Sequence, residues 1–169
     1  MLEDINMKSY TFKLDFDMPQ KSLKRLLKDM IWILVYAQRY KWLDVDHFEI
    51  MKTRHGYHVY IMALVSDRWQ EKDYLIMQSM LGDDYKRIFF SYRRILQCAK
   101  DWNVLFGTKI DRKGEITNEK HNPDLSEWLF VQFWRRLERA GGRDYGWGDG
   151  KKGNTKENKG KHDKLQAIK

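Results

Sequence analysis

Apolar and polar residues alternate strictly from Tyr10 to Asp17. Tyr10, Phe12, Leu14 and Phe16 fall on one face, and Thr11, Lys13, Asp15 and Asp17 on the other, which predicts a half-buried strand. Pro19 stops that strand and suits the first turn of a helix. Over residues 21–40 the period changes. Leu23, Leu26, Leu27, Met30, Ile31, Leu34 and Val35 recur at steps of three and four, while Lys21, Lys24, Arg25 and Lys28 lie outside, so a helix is expected. A second strand is expected over 48–52, turning or bending near His55-Gly56 and continuing over 57–63. A helix over 67–81 has Ser66 or Asp67 as its N-cap and Gly82 at C′. Residues 84–96 fit either strand or helix; one division puts a strand over 87–90 and a helix over 91–100. A hairpin is expected from 103–109 and 115–117 around Asp111-Arg112-Lys113-Gly114. A last helix over 125–140, with Trp and Phe on one side, is capped by Asp124 or Ser126 and ended by Gly141-Gly142. No internal repeat is present. This order of elements is α+β: one sheet with helices mainly on one face.

With 169 residues, 42% of them hydrophobic, the chain has one domain's worth of core, assigned to residues 1–142. Residues 143–169 are mostly Gly, Lys, Asn and Asp, with Tyr145 and Trp147 as the aromatics and little to bury, so a disordered basic tail is expected there. The single cysteine, Cys98, excludes an intramolecular disulfide and argues against a Cys-based zinc site; a small buried apolar role is expected for it. The longest apolar run, residues 30–37, is too short to span a bilayer. Met1-Leu2-Glu3-Asp4 lacks the basic start and apolar run of a secretory signal, so an intracellular, cytoplasmic protein with no membrane partner is expected. The net charge of +8 favours a polyanionic partner. Half of that charge lies in residues 141–169, with eight Lys or Arg against four Asp or Glu.

Two short segments carry candidate chemistry. Leu14-Asp15-Phe16-Asp17 sets two carboxylates on one strand face, about 7 Å apart, a spacing that lets hard oxygen ligands share Mg²⁺ or Mn²⁺. Asp17 can equally cap the first helix, and Asp15 can be a solvated strand residue. A similar pair, Asp44 and Asp46, reads as a turn. The second segment is Lys52 to His58. Lys52, Arg54 and His58 can share one face of a bent strand, where cations suit a triphosphate or a nucleic-acid backbone. Gly56 within it marks a bulge or a place where something approaches the backbone.

Together, a strand ending in Asp-x-Asp, a helix, and a strand with a basic-Gly-x-His element resemble the archaeo-eukaryotic primase superfamily over residues 10–112. Gly56-Tyr57-His58-Val59 matches that family's Gly-x-His core, although Lys52 stands where the family often has serine. The resemblance implies a small RRM-like antiparallel or mixed sheet. It implies that Asp15 and Asp17 are catalytic carboxylates binding Mg²⁺ or Mn²⁺. Lys52, Arg54 and His58 would hold the phosphates of a nucleoside triphosphate, and the product would be a primer or an extended chain on single-stranded DNA or RNA. Asn103-Val104-Leu105-Phe106-Gly107-Thr108-Lys109 loosely resembles the family's later Arg- and Gly-containing element. The family uses a third acid, and the position where it is expected here is Ser91; Asp83 or Asp84 stands as a substitute, with Asp84 taken as the third metal ligand.

The run from Tyr85 to Arg94 adds Lys86, Arg87, Arg93 and Arg94, and with Lys109 these are the candidate nucleic-acid-binding residues. The aromatics of that run fit a core equally well, as do Trp128, Phe130, Phe133 and Trp134. Three functional expectations follow. The first is a minimal primase or primase-polymerase. The second, favoured by the missing acid, is an inactive relative that still binds nucleic acid. The third is a His-hydrophobic-His initiator nuclease with Tyr92 as nucleophile. The last is disfavoured, because His55 and His58 are spaced to point to opposite faces of a regular strand.

Overall fold

A computed structural model of the chain describes residues 6–103, 108–110 and 116–141. The elements are β1 (Met7–Phe16), α1 (Gln20–Arg39), β2 (Leu43–Lys52), β3 (Tyr57–Ser66), α2 (Glu71–Met80), α3 (Tyr85–Leu96), β4 (Thr108–Ile110), β5 (Ile116–Asn118), β6 (Lys120–His121) and α4 (Pro123–Arg139). The fold is α+β. Four antiparallel strands form one sheet in the order β1-β3-β2-β6, and β4 pairs with β5 in a separate hairpin.

The alternation in β1 decides which way the sheet faces. Phe12, Leu14 and Phe16 point to one side with Val59 and Ile61 of β3 and Phe48 and Ile50 of β2, and all are buried. Onto this side α1 lays Leu23, Leu27, Met30, Ile31 and Leu34. Phe133 of α4 meets Phe48 edge-on at 5.4 Å, and Tyr74 of α2 stacks on Tyr10 at 3.9 Å between ring centroids. The opposite side carries Lys13, Asp15, Tyr60, Glu49 and Met51 and stays partly exposed. Among the described residues no helix is long and apolar enough to cross a membrane.

Several local expectations change. Residues 84–96 are helical: Asp84 accepts the backbone N–H groups of Lys86 and Arg87 at 3.0 and 3.1 Å, which caps α3 and removes the strand alternative. β2 begins at Leu43, so Asp44 and Asp46 lie on a strand, at a bulge between Val45 and His47, and not in a turn. α2 begins only at Glu71. Ser66 accepts the N–H of Arg68 in a turn before it, and Asp73 accepts the N–H of Gln70 at 2.8 Å in its first turn. α4 is capped by Asn122, which accepts the N–H of Leu125 at 3.1 Å, with Pro123 opening its first turn. Cys98 is exposed, with φ 54°, at the end of α3, not buried. The tip of the expected 103–117 hairpin and the basic tail 143–169 lie outside the described residues.

Candidate functional site

β1 is an edge strand, and its outer side is where the site is built. The outward-pointing N–H of Asp15 donates to Asp83 Oδ1 at 2.7 Å, and the carbonyl of Lys13 accepts from Gln78 Nε2 at 3.2 Å and from Arg87. Side chains from the α2–α3 region thus do what a further strand would do. Because those backbone groups point outward, Asp15 and its β3 partner His58 form a non-hydrogen-bonded pair, the kind that brings side chains closest. His58 Nε2 lies 3.5 Å from Asp15 Oδ1.

Glu119, between β5 and β6, closes the site from above. Its Oε2 is 2.6 Å from His58 Nδ1, and Tyr60 donates its hydroxyl proton to the same carboxylate at 3.2 Å. A carboxylate only accepts, so His58 donates from Nδ1 and its orientation is fixed. The imidazole is 1% exposed, and Nε2 is buried without a hydrogen bond. The geometry is a histidine held between two carboxylates from distant segments. Burial and the neighbouring Glu119 both push the Tyr60 hydroxyl up, which keeps it a neutral donor. A groove of about 370 Å³ runs along the β1 edge beside the site, lined by Thr11, Lys13, Lys100, Trp102 and Asn103.

A buried polar network holds the floor of this edge. Arg87 is paired with Asp83 and bonded to Asn103, and Asn103 donates to Gln78 at 2.7 Å and to the Tyr10 hydroxyl at 3.0 Å. Burial pushes the Asp83 carboxyl up, while Arg87, the Asp15 N–H and Gln78 pull part of the way back. Tyr10 is pushed up to about 12, chiefly by burial. Its neutral form is therefore favoured in the folded state. That stability is complete below the ordinary phenol value of 10.0 and is lost as the pH rises to about 12. The contribution is about 2–3 kcal/mol. Tyr10→Phe should accordingly flatten the fall of melting temperature between about pH 9 and about pH 12. A variant whose alkaline limb is as steep as the parent's would remove Tyr10 as its source.

Each residue named from the sequence has a place. Asp15 is on the open sheet face beside His58. Asp17 is exposed just past β1, and α1 starts on Pro19 without a side-chain cap, so Asp17 is not spent as an N-cap. Lys52 is not on the face of His58. The hairpin pairs it with Tyr57, on the helix-covered side, and its ammonium sits 4.2 Å from the Tyr57 ring centroid. Arg54 and His55 are exposed in the turn, and His55 is not paired with His58. Asp84 is the cap of α3. Ser91 is buried within α3, so it occupies no strand position from which an acid could join Asp15.

Arg87 is a structural cation in the buried network, with its side chain 10% exposed, and is not part of an exposed binding face. Lys86 and Arg93 are exposed on α3 and Arg94 partly so, and the aromatics beside them, Tyr85, Phe89, Phe90 and Tyr92, are exposed and not core. On α4 the reading as core holds for Phe133, whereas Phe130 and Trp134 are more than a third exposed. Lys109 is in β4, and its side chain lies outside the described ones. Sequence reading missed Glu119, which has no periodic pattern around it.

Among the described residues no three His, Cys, Asp or Glu side chains form a group that could hold a metal ion. At the end of β1, Asp15 on the open face and Asp17 just past the strand are the carboxylates a divalent cation could take. Such a set suits a Mg²⁺ that keeps waters and takes most of its ligands from substrate phosphates.

No protein-family model matches the chain, and no solved structure matches it. Over 138 residues, 76% of its length, it is 29% identical to a protein of Sulfolobus islandicus filamentous virus (isolate Iceland/Hveragerdi) described as uncharacterized protein 30. The chain spans about half the length of that relative, 48% of it.

Proposed function

We propose that this chain is a primase-like nucleotidyltransferase, an intracellular replication factor of a virus or plasmid. It takes a nucleoside triphosphate with Mg²⁺ or Mn²⁺ and starts or extends a strand on single-stranded DNA or RNA. The observation that carries the reading is the pairing of Asp15 with His58 on adjacent strands. The Asp-x-Asp segment and the Gly-x-His segment are about forty residues apart, and they are neighbours on a partly exposed sheet face. The similarity to a viral protein fits this context without adding to the chemistry.

In this reading a bound divalent cation would neutralise phosphate charge and raise the nucleophilicity of the attacking hydroxyl. Asp15 and Asp17 hold it. His58, held by Glu119 at Nδ1 and buried with Nε2 3.5 Å from Asp15 Oδ1, positions the Asp15 carboxylate, and Lys13 supplies positive charge on the open face. A second reading is a protein of the same fold that binds nucleic acid without catalysis. The two-carboxylate donor set and the exposed basic and aromatic face of α3 favour it.

The test is incorporation of labelled NTPs and dNTPs on a single-stranded DNA template, in Mg²⁺ and in Mn²⁺, beside an Asp15→Ala/Asp17→Ala variant. Metal-dependent product that the variant loses, while keeping the parent's melting temperature, is the expected result. No product from the parent, with template binding equal in parent and variant, would leave only the binding reading.

A further inference from the structure

The outer face of α1 carries a stripe that the site above does not use. Lys21, Arg25, Lys28, Trp32, Tyr36 and Arg39 follow one another at steps of three and four, and all are exposed. They lie on the side of α1 away from the residues it buries. Just past the helix, Tyr40, Lys41 and Trp42 continue the row, with the Tyr40 and Trp42 rings 6.0 Å apart and inclined by 32°. Trp32, Tyr36, Tyr40 and Trp42 are 45 to 67% exposed, unusual for four large rings on one face.

Two features mark the stripe as more than ordinary surface. The Arg136 guanidinium of α4 lies 5.1 Å from the Trp32 ring centroid and also bonds the Lys28 carbonyl. This fixes the indole and leaves the rest of it facing outward. The second feature is Lys41, whose φ is 57°. Its N–H bonds the Gln38 carbonyl at 3.0 Å and that of Trp42 bonds Ala37 at 2.9 Å, a Schellman end to α1. Gly82 and Gly141 fill the corresponding place after α2 and α4. Cys98 takes it after α3, and Lys41 at this position sets a cation between the exposed rings of Tyr40 and Trp42 in sequence.

We propose that this stripe binds single-stranded nucleic acid. Six cations accompany the four rings, Lys21, Arg25, Lys28 and Arg39 on the same face of α1, Lys41 just past it and Arg136 beside Trp32, with Asp29 among the exposed residues of α1, so a polyanion is the complementary ligand. The rings recur about 6 Å apart along the helix at Trp32, Tyr36 and Tyr40, and flat faces at that interval can each take an unstacked base. A second copy of the same face is disfavoured, since it would bring the cations together. A lipid surface is disfavoured too: membrane-lying helices bury Leu and Phe with their Trp, and the aliphatic side of α1 is already in the core. The inference rests on the preceding reading only in taking a polynucleotide as ligand; its surface is on the far side of α1 from Asp15.

Anisotropy of a labelled mixed-sequence single-stranded oligonucleotide, titrated with the full chain at several salt concentrations, tests it. Trp32→Ala/Tyr36→Ala should weaken binding roughly 10-fold or more, and Arg25→Gln/Arg39→Gln should also make the salt dependence shallower. Lys41→Gly separates binding from folding: it should raise the melting temperature and still weaken binding. Lys72→Gln, an exposed cation on α2 outside both the stripe and the site, should leave binding within about twofold of the parent. If the parent incorporates no nucleotide but the stripe variants lose binding, the enzymatic reading falls and this one stands. Folded stripe variants that bind the oligonucleotide as the parent does would overturn it. So would loss, in those variants, of binding to anionic vesicles or of self-association, with oligonucleotide binding intact.

Discussion

Gly56→Ala should cost about 3 kcal/mol or more of stability, near the upper end for an overpacked site. The turn that joins β2 to β3 is folded down on the end of β1. A Cβ built at Gly56 lands on the Phe16 carbonyl oxygen, and 2.8 Å from both the Phe16 carbonyl carbon and Asp17 Cα. These are backbone atoms, with no flexible side chain to swing away. The demand is for space, since Gly56 is not among the residues of positive φ. Thr53 anchors the turn from the other side, its N–H bonding the Gly56 carbonyl and its hydroxyl accepting the Gly56 N–H, both at 3.0 Å. Either the turn or the β1 end must move. At this chain length the loss corresponds to a fall in melting temperature of roughly 6–12 °C. Under the proposed function, with Asp15 and Asp17 at the β1 end holding the metal, metal-dependent incorporation should fall further than the folded fraction does. A melting temperature within a degree or so of the parent's would show that the turn does not press on β1.

The same contact shows what the sequence could and could not tell. A glycine between a cation cluster and a histidine marked a close approach to the backbone, and the approaching group is the protein's own first strand. Alternation in β1 was enough to place Asp15 on the polar face, because period two leaves no choice once Phe12, Leu14 and Phe16 are core. The same rule misled at Lys52. With four residues, 53–56, in the turn, Lys52 pairs with Tyr57 and shares its face, so the cation and His58 point to opposite sides. A continuous bent strand and a tight hairpin have the same composition, and only the hydrogen-bonded register separates them.

Glu119 was invisible for a different reason. It sits between strands of three and two residues, too short for a pattern, and its partners are 61 and 59 residues away. On α3 the identity of Phe89 and Phe90 fitted a core and a binding surface equally, and the structure exposes both while burying Ser91. That helix is held by its Asp84 cap, by Arg87 and by a narrow inner face of Ile88, Ser91 and Ile95, which leaves Phe89 and Phe90 outside.

Asp83→Ala should destabilise the protein by about 3–5 kcal/mol, the range for removing one partner of a buried ion pair. Asp83 lay beside Gly82 at a helix-ending turn, and it does occupy that turn, with its carboxylate turned inward. One oxygen accepts the N–H of Asp15 at 2.7 Å and that of Asp84 at 3.0 Å, and the other accepts from Gln78 at 3.2 Å and pairs with Arg87. Alanine leaves Arg87 charged and largely buried, and strips the Asp15 N–H of its acceptor on an edge strand. Asp83→Asn keeps an acceptor for the Asp15 N–H and should cost less. Adding Arg87→Ala to Asp83→Ala removes the stranded charge, so the double variant should be more stable than the sum of the two singles by at least about 1 kcal/mol. Urea unfolding of the four proteins closes that cycle. Strict additivity would mean that Asp83 and Arg87 do not act as a pair.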